Sequence, residues 1–159
     1  MKTVVFEIIR FVCVALTVVL IVSYAMKNKV SNADIKDVTE AVTAQINTEN
    51  MQQADNQMIK RLYGINPEDY EGCVLYYPNT NMDAEELLIV KLSDVSQQSD
   101  LLTAAEKRID TQKKTFDGYG VEQFALLTDN SVIQASGNYF LLVVSKTSDK
   151  AKSAFLGAL

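Results

Sequence analysis

The sequence predicts an α/β protein of the α+β type: an N-terminal transmembrane helix, then one domain with a four-stranded, mainly antiparallel sheet packed by helices. Three observations carry this reading. Residues 11–26 (FVCVALTVVLIVSYAM) hold no charge, no Gly and no Pro. Beyond them, apolar residues recur at spacings of three and four in several segments, the mark of amphipathic helices. Two pairs of short apolar segments are each joined by a turn signal, as in hairpins.

Taken in order, the apolar run comes first. Extended back through Val4, Val5, Phe6, Ile8 and Ile9, it reaches the roughly 20 residues that a bilayer-crossing helix needs. Arg10 precedes the uncharged run and Lys27 comes directly after it. Glu7 costs something in lipid but can pair with Arg10 near the interface. We read the run as a retained signal anchor. The alternatives are a signal peptide cleaved near Ala25, with Ser23 and Ala25 as its small residues, and a buried helix of a soluble domain. The run is long for a signal core, and Lys27 and Lys29 would sit immediately after the cut, which argues against cleavage. Cys13 lacks the small-residue context of a lipoprotein site. Lys2 and Arg10 on one flank nearly balance Lys27 and Lys29 on the other, so the extracytoplasmic placement of the domain rests on the layout of one short tail, one span and one domain. Residues 1–30 are the anchor and its linker; residues 31–159 are the domain.

In the domain, Asp34 is positioned to cap a helix striped by Ile35, Val38, Val42 and Ile46. A second helix, with Met51, Ala54, Met58 and Leu62 on one side, ends at Gly64, and Pro67 keeps the next segment non-helical. Strands are expected at 72–77 and 86–93; the Leu87-Leu88-Ile89-Val90 run reads as buried on both faces. A long helix at about 97–116 and a short one at 121–128 come next. Two further strands, 131–135 and 139–145, meet at Gly137-Asn138, where Gly suits the positive φ of a primed turn. A last helix starts near Ser148, with Ala151, Ala154, Phe155 and Ala158 inward. The expected order is α-α-β-β-α-α-β-β-α, with helices over one face and part of the other.

Composition narrows the chemistry. Of 15 basic and 20 acidic residues, Lys2, Arg10, Lys27, Lys29 and Glu7 belong to the anchor, which leaves the domain 11 basic and 19 acidic residues and a net charge of −8. Such a domain repels phosphate backbones, so no nucleic-acid partner is expected. The chain has no His. That removes the commonest general base and metal ligand and every His-activated nucleophile. Cys13 lies in the apolar run and Cys73 in a strand, so no disulfide joins them. Cys73 reads as a small buried hydrophobe.

The long helix carries one local inconsistency. Leu101, Ala105, Ile109 and Phe116 define its apolar arc, and Arg108 and Gln112 share it. An Arg aimed at a core needs a counter-charge. We therefore expect Arg108 to pair with Glu85, Glu86 or a backbone carbonyl and clamp the helix to the sheet; a ligand-anchoring role and snorkelling to solvent are the alternatives. Glu68, Asp69 and Glu71, and then Asp83, Glu85 and Glu86, fit no calcium-loop spacing and read as solvated loop and edge charges. Tyr63, Tyr70, Tyr76, Tyr77, Tyr119 and Tyr139 read as packing at the rim of the core with wet hydroxyls. No catalytic, cofactor-binding or metal-binding residue is assigned, and no cofactor is expected.

Tyr63-Gly64-Ile65, then Ala84-Glu85-Glu86-Leu87-Leu88-Ile89-Val90, then Arg108 with Gln112, Phe116 and Tyr119, then Gly137-Asn138-Tyr139 before an apolar strand, together resemble the bacterial domain-of-unknown-function family 4358 over roughly residues 58–146. The resemblance implies a small secreted or membrane-anchored protein. It implies no activity, so no residue role carries over. Family members often look like lipoproteins, and the lipid-attachment motif is missing here. The expected function is a membrane-anchored cell-envelope protein acting as a binding or assembly module without catalysis, in contact with the membrane and an envelope protein partner. The alternatives are a ligand-binding or enzyme-like domain around Arg108, and a structural subunit of a membrane complex.

Overall fold

The computed structural model describes residues 10–19 and 30–159. Residues 10–19 are helical and exposed throughout, from Phe11 at 73% to Val19 at 59%. The rest of the expected span, with Lys2, Glu7, Ser23, Ala25, Lys27 and Lys29, lies outside the described residues. No described helix is long and apolar enough to cross a membrane.

From residue 30 the elements run α1 (Ile35–Thr43), β1 (Met51–Gln53), α2 (Asn56–Tyr63), β2 (Gly72–Pro78), β3 (Glu86–Lys91), α3 (Gln98–Phe116), α4 (Val121–Asp129), β4 (Ser131–Ser136), β5 (Tyr139–Val144) and α5 (Ser148–Gly157). Single 3-10 turns at Pro67–Asp69 and Val95–Gln97 precede β2 and α3. The strands form one sheet in the order β1-β2-β3-β5-β4, every neighbouring pair antiparallel. Both expected hairpins are present, and β3 pairs with β5 at the centre.

The sheet has five strands where four were expected. Met51, placed in the stripe of the second helix by its spacing, instead pairs with Pro78 as the start of an edge strand and is buried. The reason is Asp55. Its carboxylate accepts the Met58 N–H at 2.7 Å, an N-cap that sets the start of α2 at Asn56. The capped helix turns Ile59 and Tyr63 inward and leaves Met58 and Leu62 half-buried. Gly64 closes it at φ 70°, its N–H bonded to the Lys60 carbonyl.

Two apolar layers sandwich the sheet. Leu75, Leu88, Val90, Phe140, Leu142 and Val144 meet α2, α3 and α4 through Ile59, Leu101, Ala105, Ile109 and Leu127. Leu87, Ile89, Leu141 and Val143 meet α1 and α5 through Val38, Val42, Ala151 and Phe155 on the other face. The central strands β3 and β5 are thus buried on both sides, as the unbroken apolar runs predict. Period-two alternation puts residue 86 on the same face as Leu88 and Val90, under α3.

Candidate functional site

Glu86 opens β3 and has no exposed surface. Its carboxylate is enclosed by three side chains from the two helices that cross this end of the sheet. Arg108 of α3 donates from Nε to Oε1 at 3.0 Å and to Oε2 at 3.2 Å, and from Nη2 to Oε2 at 2.6 Å. Gln112, one turn on, donates from Nε2 to Oε2 at 3.1 Å. The Tyr63 hydroxyl, at the end of α2, donates to Oε1. Bidentate guanidinium pairing and two further donors give the buried carboxylate a full set of hydrogen-bond partners.

The titration of the partners reflects this packing. Burial lowers the tendency of Arg108 to hold its proton, but the hydrogen bonds and charge of Glu86 more than offset it, and the guanidinium is held above its usual range. Burial, and then the charge and hydrogen bond of Glu86, push the Tyr63 phenol well up. The group is a locked ion pair with a phenol and an amide completing its shell. Among the three partners expected for Arg108, the structure selects Glu86.

Other expectations are revised. Glu86 is a buried structural charge, not a solvated edge charge. Glu85, next to it, is half-buried on a different set of neighbours: Ser145 Oγ lies 3.5 Å from its Oε1, and burial, then Asp83, raise its carboxyl. Asp83 turns inward to its own loop and accepts the Ala84 N–H at 2.7 Å. Glu68 and Asp69 are exposed, and Glu71 pairs with Lys91 at 3.5 Å. The Tyr63 and Tyr139 hydroxyls are not wet, since Tyr63 donates to Glu86 and Tyr139 donates to the Ala33 carbonyl at 2.7 Å. Burial pushes the Cys73 thiol up to about 12. Among the described residues no group of His, Cys, Asp and Glu is arranged to hold a metal ion.

Two clefts flank the loop between β2 and β3. One, of about 700 Å³, is lined by residues that include Glu85, Glu122, Ser145 and Thr147. The other, of about 660 Å³, opens between α2 and α3 beside the ion pair, and Arg108 and Gln112 both line it. Gln112 is 6% exposed and its Oε1 is buried without a hydrogen-bond partner. The sequence marked Arg108 and Gln112 as out of place on an apolar arc. It read Tyr63 as rim packing with a wet hydroxyl, although the spacing of four from Ile59 puts Tyr63 on the inward side of α2.

The family model described as a domain of unknown function (DUF4358) matches residues 44–145. The chain belongs to that family. Comparison with curated proteins and with solved structures gave no match. The matched span of this DUF4358 protein takes in all five strands, α2, α3 and α4, and therefore every member of the Glu86 cluster. Helices α1 and α5, which cover the opposite face, lie outside it.

Proposed function

We propose that this DUF4358 protein is a single-pass, membrane-anchored bacterial cell-envelope protein whose extracytoplasmic domain serves as a binding or assembly module, not as a catalyst. The observation that carries the anchor is the helix at residues 10–19. Its residues 11–19 carry no charge, and each of them is exposed. An uncharged apolar run of 16 residues, 11–26, suits a bilayer better than an exposed position in water. In the domain, the one dense polar constellation is spent internally: every donor around Glu86 serves to neutralise it. Membrane fractionation tests the reading. The full chain should sediment with membranes and resist high salt and carbonate, and protease added outside the cell should digest the domain. Full-length protein in the soluble fraction would sink the anchor, and a product starting near Met26 would favour a cleaved signal.

A second reading, a ligand-binding domain beside Arg108, is favoured by one observation. The cleft between α2 and α3 has the size of small-molecule sites and is lined by a Gln whose carbonyl oxygen has no partner.

A further inference from the structure

We propose that the outer edge of β4 pairs with the same edge of a second copy of this chain, antiparallel about a twofold axis at Ile133, which joins two five-stranded sheets into one. The inference rests on the assembly reading and names its partner and its contact.

β4 is the last strand of the sheet, and its ladder with β5 runs from Ser131↔Val144 to Ser136↔Tyr139. The Asn138 carbonyl accepts the Leu92 N–H on the β3 side. Alternation along β5 therefore turns the backbone groups of Tyr139, Leu141 and Val143 towards β4. These use the backbone groups of Ser136, Gln134 and Val132, and leave those of Ser131, Ile133 and Ala135 pointing outward. The Gln134 side-chain amide meets the Ala135 carbonyl at 2.7 Å, standing where a neighbouring strand would donate. No other hydrogen bond to the outward groups of Ile133 and Ala135 is found among the described residues. The opposite edge of the sheet is the three-residue β1, too short to be a template. β4 has six residues with no Pro and no charge to block pairing.

Charge and symmetry make the occupant a second copy. A cleft of about 570 Å³ lies beside this edge, between β4 and the start of α3, and Val95 and Leu102 on its wall are 39% and 42% exposed. None of the residues lining it is charged, in a domain of net charge −8. A basic partner would be drawn to the acidic surface elsewhere, whereas a neutral strip is where a like-charged domain can approach. The outward row is centred on Ile133, so a twofold axis there engages all of it from both copies. Ile133 then lies opposite Ile133 and Ser131 opposite Ala135, with no like charges opposed. The axis stands normal to the sheet and keeps like faces together. Ala33 and Ile35, at the start of the domain, pack on the face covered by α1 and α5. Both chains therefore enter from one side of the joint sheet, as two anchors in one membrane require.

The test is sedimentation of the full chain in detergent micelles over a range of concentrations, with amide hydrogen exchange followed by nuclear magnetic resonance. A dimer is expected. Exchange at Ile133 and Ala135 should slow as the dimer fills, while Gln134, bonded within the sheet, stays unchanged. Added salt should tighten the dimer, because it screens two acidic domains. Leu102→Glu, at an exposed helix position, should weaken it about tenfold. Ile133→Pro, which removes an outward N–H and no bond within the sheet, should abolish it. A dimer that Leu102→Glu leaves as tight as wild type, or one whose Ile133 and Ala135 amides exchange as fast as in the monomer, overturns the proposal and keeps the assembly reading, with the contact elsewhere. Protection of those amides in a species holding one copy and a different polypeptide likewise overturns the second copy and keeps that reading. A monomer with both amides unprotected at every concentration overturns the proposal and takes its support from the assembly reading.

Discussion

Arg108 and Glu86 form a two-nitrogen ion pair in which the Glu86 side chain has no exposed surface and the Arg108 side chain keeps 14% of its own. The pair ties the middle of α3, the longest helix among the described residues, to the first residue of a central strand. Removing the cation strands a buried charge. Arg108→Leu should therefore destabilise the domain by about 2–4 kcal/mol in denaturant unfolding. Arg108→Lys should recover only part, because an ammonium lacks the planar fork. Stability equal to wild type in Arg108→Leu would refute the clamp.

The same pair should couple strongly. Replacing both partners removes the stranded charge along with its cause, so Glu86→Leu/Arg108→Leu should lose less than the sum of the single variants. The Tyr63 hydroxyl and Gln112 Nε2 would still lose their acceptor, which keeps the double variant below wild type. Strict additivity in the double-mutant cycle would show that the two side chains do not act together.

Tyr63→Phe removes one donor to a charged acceptor and leaves the ring in place. A loss of about 1.5–3 kcal/mol is expected. The ultraviolet titration of this phenol should start only when the protein unfolds in alkali, since burial and then Glu86 hold its proton. Ionisation of a full complement of tyrosines in the native state would contradict the packing.

Much of this cluster was legible in the sequence, and the reason is periodicity. Helical spacing put Arg108 and Gln112 on the arc of Leu101, Ala105 and Ile109, and Glu86 stood among the three partners expected for Arg108, although its own burial was missed because it was read with Asp83 and Glu85 as an edge charge. A polar residue at a core position announces a partner, and that inference needs no coordinates. What failed was local. Met51 sits three residues before Ala54 and seven before Met58, so a stripe ran through it, and the capping Asp55 between them was passed over. A three-residue edge strand has too little pattern to compete with a helix that long. The cleft was not legible at all, because its walls come from α2, the loop between β2 and β3, and α3, and tertiary packing alone brings these together.

Glu85 gives a pH signature of opposite sign to a salt-bridged acid. Its carboxyl is raised in the fold by burial and by Asp83. Its favourable contribution is therefore present at low pH and lost as pH rises through the folded value, because the charged form is disfavoured in the fold. Glu85→Gln should raise the melting temperature at pH 7 and leave it unchanged near pH 4. The gain should stay below about 1 kcal/mol, because solvent screens a half-exposed group. A variant less stable than wild type at pH 7 would show that the Ser145 contact outweighs the burial.

The domain should fold without the preceding segment, because its first described residues are fastened from within. The Ser31 N–H donates to Asn138 Oδ1 at 2.8 Å, Asn138 Nδ2 donates back to the Ser31 carbonyl at 3.1 Å, and Ser31 Oγ donates to the Leu159 carbonyl at 2.9 Å. These bonds join the start of the domain, the β4–β5 turn and the last residue, and both sheet faces are covered by helices from within residues 35–157. Residues 30–159 should therefore melt in one cooperative transition by circular dichroism. Asn138→Ala should lower that transition by removing both halves of the reciprocal pair, and Ser31→Ala should lower it less, since only the hydroxyl bonds are lost. A flat melt for residues 30–159 would mean that the preceding segment or a partner completes the core.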